Sequence, residues 1–295
     1  MLASLANWTD RATWWVPVGL FLVIAAIESV RPERQLRNPL AARWAGHFTL
    51  YAACWTLLVL AAPGKLAASL GGDVGGGFLF TTLGRAGEWT LLLGGVLFSD
   101  LLLYLLHRTQ HRVFLLWRFH SVHHADTDVD VTTALRHHPG EFLPNSFIVT
   151  FIPVALGAPL WLFPVYGLVS FSASLFQHMN VQMPPWLDRL LGLVLVMPGM
   201  HRVHHSVLPE HYDTNFGTVF SFWDRLFGTY RRLDLEQREA LAFGIPSFTA
   251  PRYARVYWAW IIPFVLTRDP AVRRPEELAG ASGRTQTGVD PVASR

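Results

Sequence analysis

Cysteine is nearly missing from this chain: Cys54 is the single one in 295 residues. No intrachain disulfide can form, and a cysteine-ligated metal site is ruled out. Lysine is as scarce, with Lys65 alone, so the basic character rests on scattered arginines and the formal net charge is only +3. There is no basic stripe of the kind that tracks a phosphate backbone, so nucleic acid is not an expected partner. Charge of either sign is short as well: 15% of the chain is charged, against about 25% in an ordinary soluble domain. With 51% hydrophobic residues and a mean hydropathy of +0.28, the chain has too little polar surface to face water throughout. A membrane-embedded unit is expected.

What the chain has instead is long apolar runs. Trp14–Ile27 lies between Asp10/Arg11 and the arginine-rich RPERQLR. It is too long for a signal peptide, lacks a small-residue cleavage site, and reads as a spanning helix. A second run covers Phe48 to Ala62, and a third, EWTLLLGGVLFSDLLLYLLH (88–107), is long enough to cross a bilayer core. GGDVGGGF (71–78) reads as a flexible loop. Residues 142–176 contain a GAP turn, which predicts a hairpin of two short spans, with Trp161, Phe163 and Tyr166 as interface anchors. Segments 186–197 and 256–266 are expected to lie along the interface, and the polar tail after Pro275 to be disordered. Arginines cluster after the first span (Arg31, Arg34, Arg37, Arg43), after the third (Arg108, Arg112, Arg118, Arg136) and after the hairpin. These segments would share the cytoplasmic side.

Histidine is the residue in excess. Of 13 histidines, all but His47 and His211 lie between residues 107 and 205. HRTQH puts His107 and His111 one helical turn apart at the end of the third span. HSVHH brings His120, His123 and His124 together, and HRVHH repeats the pattern with His201, His204 and His205. Each cluster can aim two or three ring nitrogens at a single point, as helices do when they build metal sites. His178 in QHMN and the pair His137/His138 in RHHPGE lie nearby in sequence. Eight or nine imidazoles exceed what one ion takes and suit two metals. Ligand type alone leaves iron, copper, nickel and zinc open.

The boxes HRTQH, HSVHH and HRVHH, in this order and spacing, resemble the fatty acid hydroxylase/sterol desaturase superfamily of integral-membrane non-haem di-iron oxygenases. The run HRVHHSVLPEHYDTNFGTVFSFWDRLFGTY (201–230) looks like that family's third box and its downstream signature. The likeness covers roughly residues 90–230. It implies two iron ions (Fe2+/Fe3+) held by His107, His111, His120, His123, His124, His178, His201, His204 and His205. His138 is left open as a ligand. Asp100, seven residues before His107 and inside a span, is expected to accept a hydrogen bond from a ligand histidine. Asp213 and Asn215 are expected to support the site, with Asp100 and Asn215 as its catalytic non-ligand residues. Asp224 and Arg225 are expected to pair and seal it.

The expected architecture is all-α: a multi-span transmembrane helical bundle of about four spans plus interfacial helices, with a cytoplasmic His-rich cap. Residues 1–87 would form N-terminal transmembrane helices and 88–232 the di-iron catalytic domain. Residues 233–275 would form a cytoplasmic or interfacial segment, and 276–295 a disordered tail. The implied activity is hydroxylation or desaturation of a lipid (fatty acyl, sterol-like or other isoprenoid) with dioxygen. Electrons would come from an external ferredoxin, cytochrome or reductase. The expected location is a bacterial inner membrane, with the site on the cytoplasmic side. Ether-lipid cleavage of the alkylglycerol type is the alternative. A haem-binding electron carrier, which needs histidines facing across two spans, and a metal transporter, which needs ligands along the membrane interior, are the rivals from other classes.

Overall fold

The structure is a computed structural model that describes residues 2–62, 65–66 and 78–267. The loop expected at 71–78, apart from Phe78, and the tail after Pro275 lie outside the described residues. The chain divides into two units, residues 1–265 and 266–295; the second enters the described residues only at Leu266 and Thr267. Within the first, every regular element described is a helix, joined by two isolated bridges, Leu195 with Phe220 and Ser206 with Phe243.

Helices α1 (Leu2–Val30), α2 (Leu40–Ala61), α3 (Phe78–Arg85) and α4 (Glu88–Arg112) come first. Among the described residues, α2 and α4 are the two that are long and apolar enough to cross a membrane. The apolar part of α1, Trp15–Val30, is shorter. The expected hairpin is present as α6 (Pro139–Ala155) and α7 (Leu162–His178), but at 17 residues each its arms are also short. Of the about four spans expected, two are long and apolar enough among the described residues, with shorter apolar helices beside them.

The sidedness of α2 and α4 explains the charge deficit. The buried stripe of α2 is Arg43, Gly46, His47, Leu50 and Cys54, spaced by three and four residues. That of α4 includes Gly95, Ser99, Asp100 and Tyr104. Polar groups thus point inward, while Val59, Leu60, Trp89 and Leu93 point outward and are exposed. A soluble helix is arranged the other way round. Outward apolar faces around a polar interior suit a lipid solvent, which cannot satisfy polar atoms. Gly95 matters for closeness: a Cβ there would stand 2.6 Å from a Leu162 methyl, so glycine lets α7 lie against α4.

The chain then folds back on itself. Val113 is extended (φ −95°, ψ 108°), and this one-residue break separates α4 from α5 (Phe114–His124). A 3-10 turn, Val131–Leu135, follows, capped by Asp130, whose side chain accepts from the Thr132 amide. His138 caps α6, its Nδ1 accepting from the Gly140 amide, with Pro139 at the first helical position. Short helices α8 (Pro185–Leu191), α9 (Pro198–His204), α10 (Pro209–Tyr212), α11 (Phe222–Leu226) and α12 (Leu235–Glu239) complete the cap, and α13 (Val256–Val265) returns against α2 and α5.

Buried charge ties the N-terminal helices to this cap. Arg43 of α2 bonds Asp126 at 2.9 Å, and also Asp130 and the Asp128 carbonyl. Burial alone would raise the Asp126 carboxyl, yet Arg43, with His47 and Arg136 behind it, holds it well below the usual carboxylate range. Glu28 of α1 accepts from the amides of Val131 and Asn180, and Arg202 of α9 pairs with Glu33. Apolar packing of α1 on α7, through Ile24, Leu175 and Met179, runs alongside.

Candidate metal centre

The nine predicted histidines come together, in two adjoining groups. His107, His111, His120, His124 and His204 form one, and His123, His178, His201 and His205 the other. In each, one ring nitrogen per residue lies within 4.8 Å of all the others. Each H-x-x-H-H triplet aims two of its rings at one group, within the expected two or three, and its third ring at the other. HSVHH sends His120 and His124 to the first group and His123 to the second; HRVHH sends His204 to the first and His201 and His205 to the second. The groups touch through the stacked rings of His124 and His205, 4.7 Å apart.

Each element contributes for a local reason. α4 carries His107 and His111 one turn apart near its C-terminal end, His111 in the last turn. The break at Val113 turns α5 back so that its own triplet faces them. α7 ends on His178, and Pro198 starts α9 three residues before His201. His120, His123, His124, His178, His201, His204 and His205 are all buried.

Hydrogen bonds at the far nitrogens fix which ring atom faces inward. His107 Nδ1 donates to the Phe216 carbonyl at 2.8 Å and His204 Nδ1 to the Thr214 carbonyl at 2.7 Å. His178 Nδ1 donates to the Ser174 carbonyl at 2.7 Å, and His120 Nδ1 lies 2.7 Å from a Glu141 carboxylate oxygen. A carbonyl only accepts, so Nδ1 carries the proton and Nε2 presents a lone pair. Yet His107 Nε2 stands 3.0 Å from the Nε2 atoms of both His120 and His204. His178 Nε2 stands 3.1 Å from His123, 3.2 Å from His205 and 3.0 Å from His201. Burial, then the neighbouring imidazoles, push His123, His124, His201, His204 and His205 well below the usual histidine range, so protonation does not relieve the crowding. Lone pairs facing lone pairs in a dry interior repel. A cation among them removes the conflict.

The spacing also suits a shared ion. Two nitrogens bound about 90° apart at about 2.1 Å from one ion stand about 3.0 Å from each other, whereas a tetrahedral pair stands about 3.4 Å apart. The observed 3.0–3.2 Å separations are close enough for these nitrogens to share one ion. The donor set, all imidazole with carboxylate behind, fits iron among other first-row metals. Buried nitrogens with no hydrogen-bond partner, including both of His111 and Nε2 of His124, are free to serve as ligand atoms.

The non-ligand expectations fare differently. Asp100 does not reach a histidine. One oxygen accepts from the Tyr166 hydroxyl and the Val219 amide, each at 3.1 Å; the other accepts from the Phe220 amide at 3.1 Å and the Trp223 indole at 3.0 Å. It anchors the 219–223 loop to α4. Tyr166 is thus buried rather than an interface anchor. Asn215, in left-handed backbone (φ 57°), bridges Met200 and Arg231, and its side-chain hydrogen bonds go to backbone rather than to a ligand ring. Asp213 approaches His111 Nδ1 only to 3.6 Å, too far for a hydrogen bond. Asp224 and Arg225 do not pair. Asp224 accepts from the Phe216 and Gly217 amides and the Thr229 hydroxyl, while Arg225 donates to Ser221 and the Gly192 carbonyl. His138 is in neither group; its Nδ1 is spent on Gly140. Sequence reasoning missed Glu141, which backs His120 and also lies 3.3 Å from His137 Nδ1. Its place four residues after His137 was the one available signal.

The sequence signature described as fatty acid hydroxylase matches residues 92–229, a stretch holding all nine histidines. Residues 92–229 belong to the fatty acid hydroxylase family. An ornithine lipid hydroxylase of Rhizobium tropici is 35% identical over 46% of this chain and 40% of its own length. An alkylglycerol monooxygenase of Xenopus tropicalis is 31% identical over 53% of this chain and 32% of its own. A very-long-chain aldehyde decarbonylase of rice is 27% identical over 44% of this chain and 22% of its own. The chain thus spans less than half the length of these curated relatives. No solved structure matches it.

Proposed function

We propose that this chain is a membrane-bound di-iron oxygenase that hydroxylates or desaturates a lipid with dioxygen and externally supplied electrons. The observation that carries it is the convergence of Nε2 atoms at 3.0–3.2 Å, with the Nδ1 protons of His107, His178 and His204 committed to carbonyls behind them. His107, His111, His120, His124 and His204 would hold one iron, and His123, His178, His201 and His205 the other. Bound iron would supply the activation of dioxygen needed to attack an unactivated C–H bond. The protein's own residues do the rest. The Phe216, Thr214 and Ser174 carbonyls and Glu141 hold four rings in one tautomer, so no reorientation is needed on metal binding. Burial excludes water, and the apolar outer faces of α2 and α4 admit a lipid from the bilayer. Asp100 and Asn215 serve by fixing the loops that carry Phe216 and Met200, next to His201.

Ether-lipid cleavage is the second reading, favoured by the alkylglycerol monooxygenase likeness over 53% of the chain. A haem carrier fits poorly, because rings whose Nε2 atoms stand 3.0 Å apart leave no room for a macrocycle between them. The arginine asymmetry supports a bacterial inner-membrane location, with the histidines on the cytoplasmic side and a ferredoxin, cytochrome or reductase as donor. Metal analysis of protein expressed with iron tests the core of the proposal. Close to two irons per chain is expected; a value near one, unchanged in His120→Ala, would overturn it.

A further inference from the structure

Beside α9 lies a cavity walled by Arg189, Arg225, Arg232 and Arg238, with Asp188 as the one acidic residue in its wall and Gly199 on its floor. Asp188 is answered by Arg232 at 3.1 Å. Arg225 lies over the Tyr230 ring, 4.0 Å from its centre, and donates to neutral oxygens. The Nε of Arg238 is buried and has no hydrogen-bond partner. Its guanidinium comes so close to Gly199 that a Cβ there would stand 1.8 Å from it. Glycine at that position is therefore what admits the cation. Four arginines against one carboxylate make a pocket in want of an anion.

The rim of this cavity is apolar. Trp186, Leu190, Leu193, Val194 and Leu226 are exposed by half or more. They form one surface, because the 192–194 turn is pinned to α11: the Gly192 carbonyl accepts from Arg225 and Ser221, and the Val194 carbonyl from the Ser221 amide. Free phosphate or an acidic soluble protein would engage the arginines and leave the rim in water. A zwitterionic bilayer would cover the rim and offer phosphates, but would bring an ammonium group up against the same arginines. One ligand satisfies both: a lipid with a phosphate headgroup carrying net negative charge, whose oxygens match the guanidinium fork and whose chains meet α8 and α11.

We propose that this cavity is a headgroup site for an anionic phospholipid, with α8 and α11 lying in the bilayer surface around it. The inference rests on the membrane reading above and is independent of the oxidation chemistry. The test uses the full-length protein in detergent, with phosphatidylglycerol and phosphatidylcholine of identical chains, and lipid retention read by native mass spectrometry. The wild type should retain phosphatidylglycerol in preference. R189Q/R238Q should weaken retention of both lipids and lower the preference by about tenfold, because two cations that disfavour the choline ammonium are gone. W186S/L193S should weaken retention of both lipids. Should R238Q loosen α9, R189Q alone, at an exposed position, must still reduce the preference. Equal retention of the two lipids by the wild type overturns the inference. So does a preference unchanged in R189Q/R238Q, or displacement of phosphatidylglycerol by inorganic phosphate with no effect of the rim variant, which would mark a soluble-anion site. Because retention is read without turnover, a protein that oxidises lipid but shows no preference sinks this inference alone. One that shows the preference but binds no iron sinks only the proposed function.

Discussion

Glu141→Gln isolates the charge behind the histidines. Glu141 is buried, with one oxygen 2.7 Å from His120 Nδ1 and both oxygens 3.3 Å from His137 Nδ1. The His137 ring in turn stacks on His123 at 4.5 Å and 10°. One carboxylate therefore backs a ligand candidate of the first group and steadies a ring lying against one of the second. Glutamine keeps the volume and an acceptor oxygen but loses the charge. A charge-assisted hydrogen bond is worth about 1.5–3 kcal/mol and a neutral one about 1 kcal/mol. The exchange should cost about 0.5–2 kcal/mol of metal binding, or roughly 2- to 30-fold in affinity. Alanine should cost more, since it leaves the buried His120 Nδ1–H with no partner, a further penalty of about 1–3 kcal/mol. The assay is iron release to a chelator from the purified protein, with thermal unfolding of the metal-free protein as control. The expected order of retention is parent, then Glu141→Gln, then Glu141→Ala. If both variants hold iron as tightly as the parent, the carboxylate is not supporting a ligand and the reasoning fails. If both lose iron equally and unfold early, Glu141 is structural only.

Further outcomes follow from the same geometry. His123→Ala and His204→Ala each remove one nitrogen from a different group, and each should abolish lipid oxidation, the double variant being no worse than either single one, because such residues act as a unit; near-parental turnover with iron retained would refute this. Asp100→Asn sets an amide NH2 against donors that now share a carboxylate, so it should cost about 3 kcal/mol and lower the unfolding temperature by roughly 5–10 °C, with iron per folded chain unchanged; specific iron loss without destabilisation would return Asp100 to the metal site. Reporter fusions after Arg136 and after Arg232 should both read cytoplasmic, and opposite readings would refute the orientation.

How far the sequence carried can be seen residue by residue. The i, i+4 pair in HRTQH and the repeated triplet named eight of the nine clustered histidines, because a helix makes such spacing a local property; His178 was named only by the family resemblance. Asp100 went wrong for an axial reason. Seven residues keep it on the same face as His107 but place it about 10 Å away along the helix, beyond reach of the ring. Its actual partners, Val219, Phe220 and Trp223, arrive from more than a hundred residues later. No local pattern announces them. Asp224 and Arg225 are neighbours in sequence, and side chains one residue apart on a helix diverge. Tyr166 looked like an interface anchor because its helix is apolar; only the packing of α7 on α4 shows that its hydroxyl has a carboxylate to meet.

The division of the triplets has a simple helical cause. At about 100° per residue, positions i and i+4 lie about 40° apart, while i+3 lies about 60° to the other side of i. HxxxH alone spans the narrow arc, and both its members, His107 and His111, reach the same group. HxxHH spans about 100°, with a pair at one edge and a single histidine at the other. A helix end set between two centres therefore gives two rings to one and one ring to its neighbour. α5 and α9 do this in opposite senses: α5 gives its pair to the first group, and HRVHH gives its pair to the second. Two triplets so placed supply three nitrogens to each centre and fix the two centres side by side, because every triplet is anchored in both. The HxxxH pair then raises the first to five, and His178 raises the second to four. A chain with one triplet could build one centre by this means. Repeating the triplet, with the pairs facing opposite ways, is what builds two that adjoin.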